Sequence, residues 1–181
     1  SDPKERPPSQ DPSGPEQVGS RLKAEGSDMS GRTVWLARHG NRVDQVTDEW
    51  KTFATNRYDP DLSPIGMLQA MKLAKRLKRE PEPINHLIAS PFLRTLRTAS
   101  FIAHDLGLPM DVESGVGEMR SREFFPDGDI VLPGNAARRE VFPWINMGYD
   151  SQVTPVFPEE DAGPTSMIAR VTRTMDALLK T

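Results

Sequence analysis

One histidine in this chain stands among arginines. Arg38-His39-Gly40-Asn41-Arg42 follows directly on a short apolar run at 33–37 (TVWLA), and Arg94, Arg97 and Glu118 lie further along. Arginines around a histidine suit a dianionic phosphate. Each guanidinium can hold two oxygens, and its field disfavours the imidazolium, which keeps the imidazole neutral and nucleophilic. A carboxyl such as that of Glu118 can carry a proton to a leaving oxygen. The chain has no Cys, which excludes disulfides, thiolate zinc sites, iron–sulfur ligation and cysteine nucleophiles. A Gly-x-Gly-x-x-Gly turn, a Walker loop and a His-Glu-x-x-His helix are all missing from the sequence, so no cofactor or metal is expected.

For these residues to act together, the surrounding elements must bring them to one place. Residues 33–37 read as a buried strand ending in the RHGNR loop. Ser63 and Pro64 read as a helix N-cap and first helical position. Met67, Ala70, Met71, Ala74 and Leu77 then form one face, opposite Lys72, Lys75, Arg76 and Lys78, before Pro81 and Pro83 end the helix. The pattern repeats with a strand at 84–89 and a second N-cap at Ser90-Pro91. Behind it comes a helix with Phe92, Leu96, Ala99, Ala103 and Leu106 on its face, stopped by Gly107. Residues 109–113 suggest a third strand. Residues 119–164 hold no sustained period and read as an insertion or lid, whose Phe124, Phe125, Trp144, Tyr149 and Phe157 either line a pocket or pack on the body. Ile168, Val171, Met175 and Leu178 mark a last helix at about 165–180.

This order predicts an α/β fold, with a mainly parallel sheet covered by helices on both faces. Ligands in such sheets bind beyond the carboxyl ends of strands, where 38–42, 90–97 and 115–120 would meet. The second helix adds an argument from charge. Arg94 and Arg97 occupy its first two turns with no acidic residue before Asp105, against the preference of the helix dipole. An external anion at that end would account for them; so would side chains that simply reach solvent.

The composition limits the alternatives. With 23 basic and 26 acidic residues the net charge is −3, which disfavours a nucleic-acid-coating protein. No apolar run approaches a membrane span and no signal-peptide layout is present, so a soluble cytoplasmic protein is expected. Residues 1–30 carry five Pro and only Val18, Leu22, Ala24 and Met29 from the apolar set, which predicts a disordered tail or linker before a domain at 31–181.

Taken together, WLARHGNRVD, DPDLSPIGMLQA, HLIASPFLRTLRTA and ESGVGEM resemble the histidine phosphatase superfamily, with its phosphoglycerate-mutase-like fold. RHGNRVDQV and INMGYDSQVTPVFPEE are most similar to the suppressor-of-T-cell-signalling and ecdysteroid-phosphate phosphatase group. The resemblance implies a metal-independent phosphomonoester phosphatase in which His39 becomes phosphohistidine. Arg38, Arg42 and Arg94 would hold the phosphoryl oxygens, and Glu118 would protonate the leaving oxygen. It implies no role for Arg97. The substrate would be a phosphate ester, small molecule or phosphoprotein, with neither nucleic acid nor membrane as a partner.

The family also carries a second active-site histidine, on a strand beyond a helix like the last one here. The sequence stops before such a strand, so a fold incomplete at its C-terminus and weak turnover are expected. His86 and His104 sit away from the strand ends and read as packed or surface residues. Two alternatives stand beside the phosphatase: a phosphoglycerate-mutase-type phosphotransferase, and a non-catalytic phosphate- or phosphopeptide-binding module.

Overall fold

A computed structural model of the chain describes residues 20–23 and 33–180. The chain divides into two compact units, Ser1–Ala37 and Arg38–Thr181. In the first, strand β1 (Ser20–Lys23) pairs antiparallel with strand β2 (Thr33–Leu36), Ser20 opposite Leu36 and Lys23 opposite Thr33. One expectation is corrected here. The strand at 33–37 was expected to be buried within a parallel sheet; it is half-buried, leaves Leu36 exposed and has an antiparallel partner. An apolar run announces a strand but does not choose its neighbour, which is set by non-local geometry. Of the expected tail at 1–30, residues 20–23 form β1 and the rest lie outside the described residues.

The second unit opens on the RHGNR loop and a 3-10 turn, Val43–Gln45, followed by the short helix α1 (Trp50–Phe53). Helix α2 (Pro64–Leu77) starts as its sequence predicts, with the Ser63 hydroxyl accepting from Gly66 N at 3.1 Å and Pro64 in the first turn. Its buried face is Gly66, Ala70, Ala74 and Leu77, whereas Met71 is exposed. Of the expected face Ala70, Ala74 and Leu77 are buried and Met67 is half-buried, so the departure is confined to Met71 and to Gly66, which joins the buried side. Small residues four apart let α2 lie close against helix α3 (Leu93–Leu106), and a methionine on that seam would hold the two apart.

Strand β3 (Leu87–Ala89) and strand β4 (Met110–Val112) form a parallel pair, Leu87 opposite Met110 and Ala89 opposite Val112. The strand expected from Ile84 begins three residues later. The molecule is thus α/β with a parallel sheet and helices. Residues 119–164, expected as an insertion or lid, bridge to β4 through Met110 and Ile145 and contain helix α4 (Asn135–Arg139). They also contribute to the core. Phe142 and Ile145 pack with Ala89, Leu96, Ala99, Met110 and Val112; Phe125 and Ile130 pack with Phe92. Among the aromatics left open, Phe125 is buried and Phe157 packs beside it, while Phe124 is exposed.

Helix α5 (Pro164–Leu178) also departs from its apolar pattern. The residues it buries are Arg170 and Thr174, while Ile168 is exposed. Among the described residues no helix is long and apolar enough to cross a membrane.

Candidate active site

The His39 loop is fixed by backbone packing on the start of α2. A Cβ on Gly40 would fall on the Gly66 carbonyl, and a Cβ on Gly66 would fall on the Asn41 carbonyl, so only glycine fits at either position. Asn41 then joins the two segments. Its carbonyl accepts from Ser63 N at 2.9 Å, its side-chain oxygen accepts from the Ser63 hydroxyl at 2.6 Å, and its N–H donates to Gln69 at 2.8 Å. The Gly40 N–H donates to the Thr98 hydroxyl of α3 at 3.3 Å. His39 is thereby held between two helices.

The imidazole Nδ1 lies 2.7 Å from the Gly40 carbonyl. A carbonyl only accepts, so Nδ1 carries the proton and Nε2 keeps its lone pair. Burial moves the His39 pKa below 6.5; the Gly40 carbonyl opposes this, and the fields of Arg94, Arg38 and Arg42 reinforce it. Of the four arginines that strand-end placement offered, these three act on the ring.

Their surroundings differ. Arg38 is exposed. Arg42 is half-buried and forked onto Asp44, at 2.9 and 2.7 Å. Arg94 is 4% exposed, lies over the Phe92 ring at 4.5 Å, and donates to Glu118 at 3.0 Å. Its Nε has no hydrogen-bond partner. Glu118 is half-buried, and its other oxygen accepts from Met119 N at 3.1 Å. The structure therefore gathers His39, the three arginines and Glu118. It leaves His86 and His104 exposed, His104 against Asp105 and the edge of Trp144.

Arg97 belongs elsewhere. It forks onto Asp61 with its shortest contact at 2.6 Å and covers the Phe142 ring at 4.8 Å, tying the turn before α2 to α3. Nor is Ser90 the cap of α3. Phe92 holds that position without a side-chain bond, and the carboxylate of Asp59 accepts from Leu93 N at 2.7 Å instead. Burial raises the Asp59 pKa, opposed by that hydrogen bond and by the Arg94 field. The acidic group missing from the first turn of α3 is thus supplied from 34 residues upstream. Proximity in sequence gave no sign of it.

A second carboxylate organises the segment leading to Glu118. Glu113, fully buried at the end of β4, accepts from Tyr149 Oη (2.7 Å), Ser151 Oγ (2.8 Å) and the N–H groups of Gly115 (2.7 Å), Gln152 (2.7 Å) and Val153 (3.2 Å). Burial alone would raise its pKa, but these donors outweigh burial and hold it below the ordinary carboxylate value. The Tyr149 hydroxyl is pushed up, first by burial and then by Glu113.

The family model of the histidine phosphatase superfamily, branch 1, matches residues 34–124, just over half of the chain. The chain belongs to the histidine phosphatase superfamily. It is 33% identical over 129 residues to the transcription factor tau 55 kDa subunit of Saccharomyces cerevisiae, covering 68% of this chain and 29% of that protein. It is 35% identical over 80 residues to a 2,3-bisphosphoglycerate-dependent phosphoglycerate mutase of Methylobacterium sp. (strain 4-46), covering 43% of this chain and 36% of the mutase. The crystal structure of the ecdysone phosphate phosphatase from Bombix mori in complex with tungstate superposes with a TM-score of 0.67 at 20% identity, over 79% of this chain and 65% of that one. This chain thus spans about a third of its two sequence relatives, and its likeness to the phosphatase structure lies in the fold.

Proposed function

We propose that this histidine phosphatase-like chain is a phosphomonoester phosphatase that works through a phosphohistidine on His39. The supporting observation is Arg94, a buried guanidinium with an unpartnered Nε whose field acts on a histidine with a free Nε2 lone pair. A cation so placed is costly to bury unless an anion uses its donors.

In the proposed reaction Arg38, Arg42 and Arg94 hold the phosphoryl oxygens and spread their charge. The Nε2 lone pair attacks phosphorus as the ester P–O bond breaks. Glu118, paired with Arg94 at rest and released as the phosphoryl oxygens take up that guanidinium, accepts a proton from solvent and gives it to the departing oxygen. Water then attacks the phosphohistidine, Glu118 takes its proton, and the P–N bond breaks to restore neutral His39. Such in-line displacement depends mainly on positioning and charge neutralisation.

Mixing the chain with 2,4-dinitrophenyl phosphate should release at least one equivalent of dinitrophenol and leave acid-labile phosphate on the protein. His39→Ala should do neither. Equal release from the two proteins would overturn the reading, and phosphate binding without release would favour a non-catalytic binding module. The mutase likeness supports a second reading, transfer to another hydroxyl. A labelled acceptor in competition with water separates the two.

A further inference from the structure

The segment that carries Glu118 has little to stiffen it from within. Residues 113–120 read Glu-Ser-Gly-Val-Gly-Glu-Met-Arg, with one 3-10 turn at Ser114–Val116. Glu113 secures its start. Its far side is secured by Arg170, which reaches it from the second turn of α5.

Arg170 is 3% exposed, and so is its partner Glu160. Its Nε stands 2.6 Å from one Glu160 oxygen and a terminal nitrogen 3.1 Å from the other, a two-point fork. The remaining donors go to three loop carbonyls: Gly115 at 2.7 Å, Gly117 at 3.2 and 3.3 Å, and Glu118 itself at 3.3 Å. Glu160 in turn accepts the Arg120 N–H. On the same face of α5, a Cβ on Gly115 would fall on the hydroxyl of Thr174, which is fully buried. One buried ion pair thus holds the backbone before, at and after Glu118.

Burying a guanidinium–carboxylate pair is expensive, and apolar packing often stabilises a fold as well. Apolar packing cannot hold four backbone polar groups at fixed distances. We propose that Arg170, oriented by Glu160, is a positioning residue that sets where the Glu118 carboxyl stands relative to the leaving oxygen. This rests on the phosphatase reading above. Misplacing a reacting group by about 1 Å can cost on the order of a hundredfold in rate.

The test is the dependence on leaving group in single-turnover alcohol release. Dinitrophenolate departs without a proton, whereas phenol leaves slowly unless its oxygen is protonated. Arg170→Lys keeps the charge and loses the fork. It should slow phenyl phosphate by about tenfold or more and 2,4-dinitrophenyl phosphate by less than about threefold. Added to Glu118→Gln, it should change neither rate much further, since the two act through one group. Glu160→Gln should give the same split.

Proportionate slowing of both esters, or full additivity with Glu118→Gln, would sink the positioning role alone. Failure of both Arg170→Lys and Glu160→Gln to fold, read by circular dichroism, would make the pair a folding element and likewise overturn it. Wild-type protein that releases alcohol from neither ester would sink the phosphatase reading, and this inference with it.

Discussion

Burial and three guanidiniums bias His39 toward its neutral form, and the sign of that bias fixes a pH profile. Because the pKa is lowered from 6.5, Nε2 stays available below that pH, and the acid limb of dinitrophenol release should lie below 6.5. In Arg94→Met one repulsive charge is gone, so the imidazole should titrate at higher pH by NMR. A downward shift would contradict the geometry described. Glu113 makes a second residue-scale prediction. Its folded pKa is below the ordinary 4.5, so it contributes stability that is present above about pH 4.5 and lost as pH falls through the folded value. Glu113→Gln should lower the urea unfolding free energy at pH 7 by roughly 1–3 kcal/mol and flatten its decline in acid. At this scale the sequence displayed the histidine and its cations plainly, as His39, Arg38, Arg42 and Arg94 stand beside predicted strand ends. It concealed the carboxylates that tie the surrounding elements together: Asp59, which caps α3 at Leu93, and Asp61, which holds Arg97, lie more than thirty residues from the groups they bind, so only the fold joins them.

Between elements, the His39 loop and the first turn of α2 approach so closely that two backbones meet with no side chain between them. Gly66→Ala places a methyl against the Asn41 carbonyl, and no rotamer can relieve it. Such overpacking should cost about 1–3 kcal/mol in stability. It should also lower dinitrophenol release by more than about tenfold through displacement of His39. Gly134→Ala, which meets nothing within 4 Å, should stay within about 1 kcal/mol and keep full activity, and comparable losses in the two variants would argue against the packing account. Element boundaries were legible where local chemistry sets them, as at Ser63-Pro64 and Gly107. They were not where a distant group does the work. Helix α3 begins at Leu93 rather than behind Ser90 because Asp59 caps it. On α5 the apolar residues Val171, Met175 and Leu178 are only half-buried and the fully buried positions are polar: an arginine satisfied by loop carbonyls looks, in sequence, like one bound for solvent.

Across the whole molecule a net charge of −3 coexists with a local excess of arginine around one imidazole. Inorganic phosphate should therefore raise the thermal midpoint of the wild-type protein, by about 2.7 kcal/mol of stabilisation at a hundred times its dissociation constant. That gain should vanish in Arg42→Met/Arg94→Met and persist in Arg97→Met, whose arginine is committed to Asp61; persistence in the double variant would place the anion elsewhere. The parallel pair β3–β4 and the helices around it were visible as periodic runs, whereas 119–164 was not, since its core contacts come from isolated aromatics such as Phe125 and Phe142. The resting pairs Arg42–Asp44 and Arg94–Glu118 carry a last consequence. Both cations already hold an internal acid, so filling the site is an exchange of one anion for another. A carboxylate solute brings a single charge, no more than each resident carboxylate already supplies. On the phosphatase reading, a phosphate dianion, with its second charge and a further oxygen for the unpartnered Arg94 Nε, should displace the residents where a carboxylate does not, and the pairs would then act as a filter before any bond is broken.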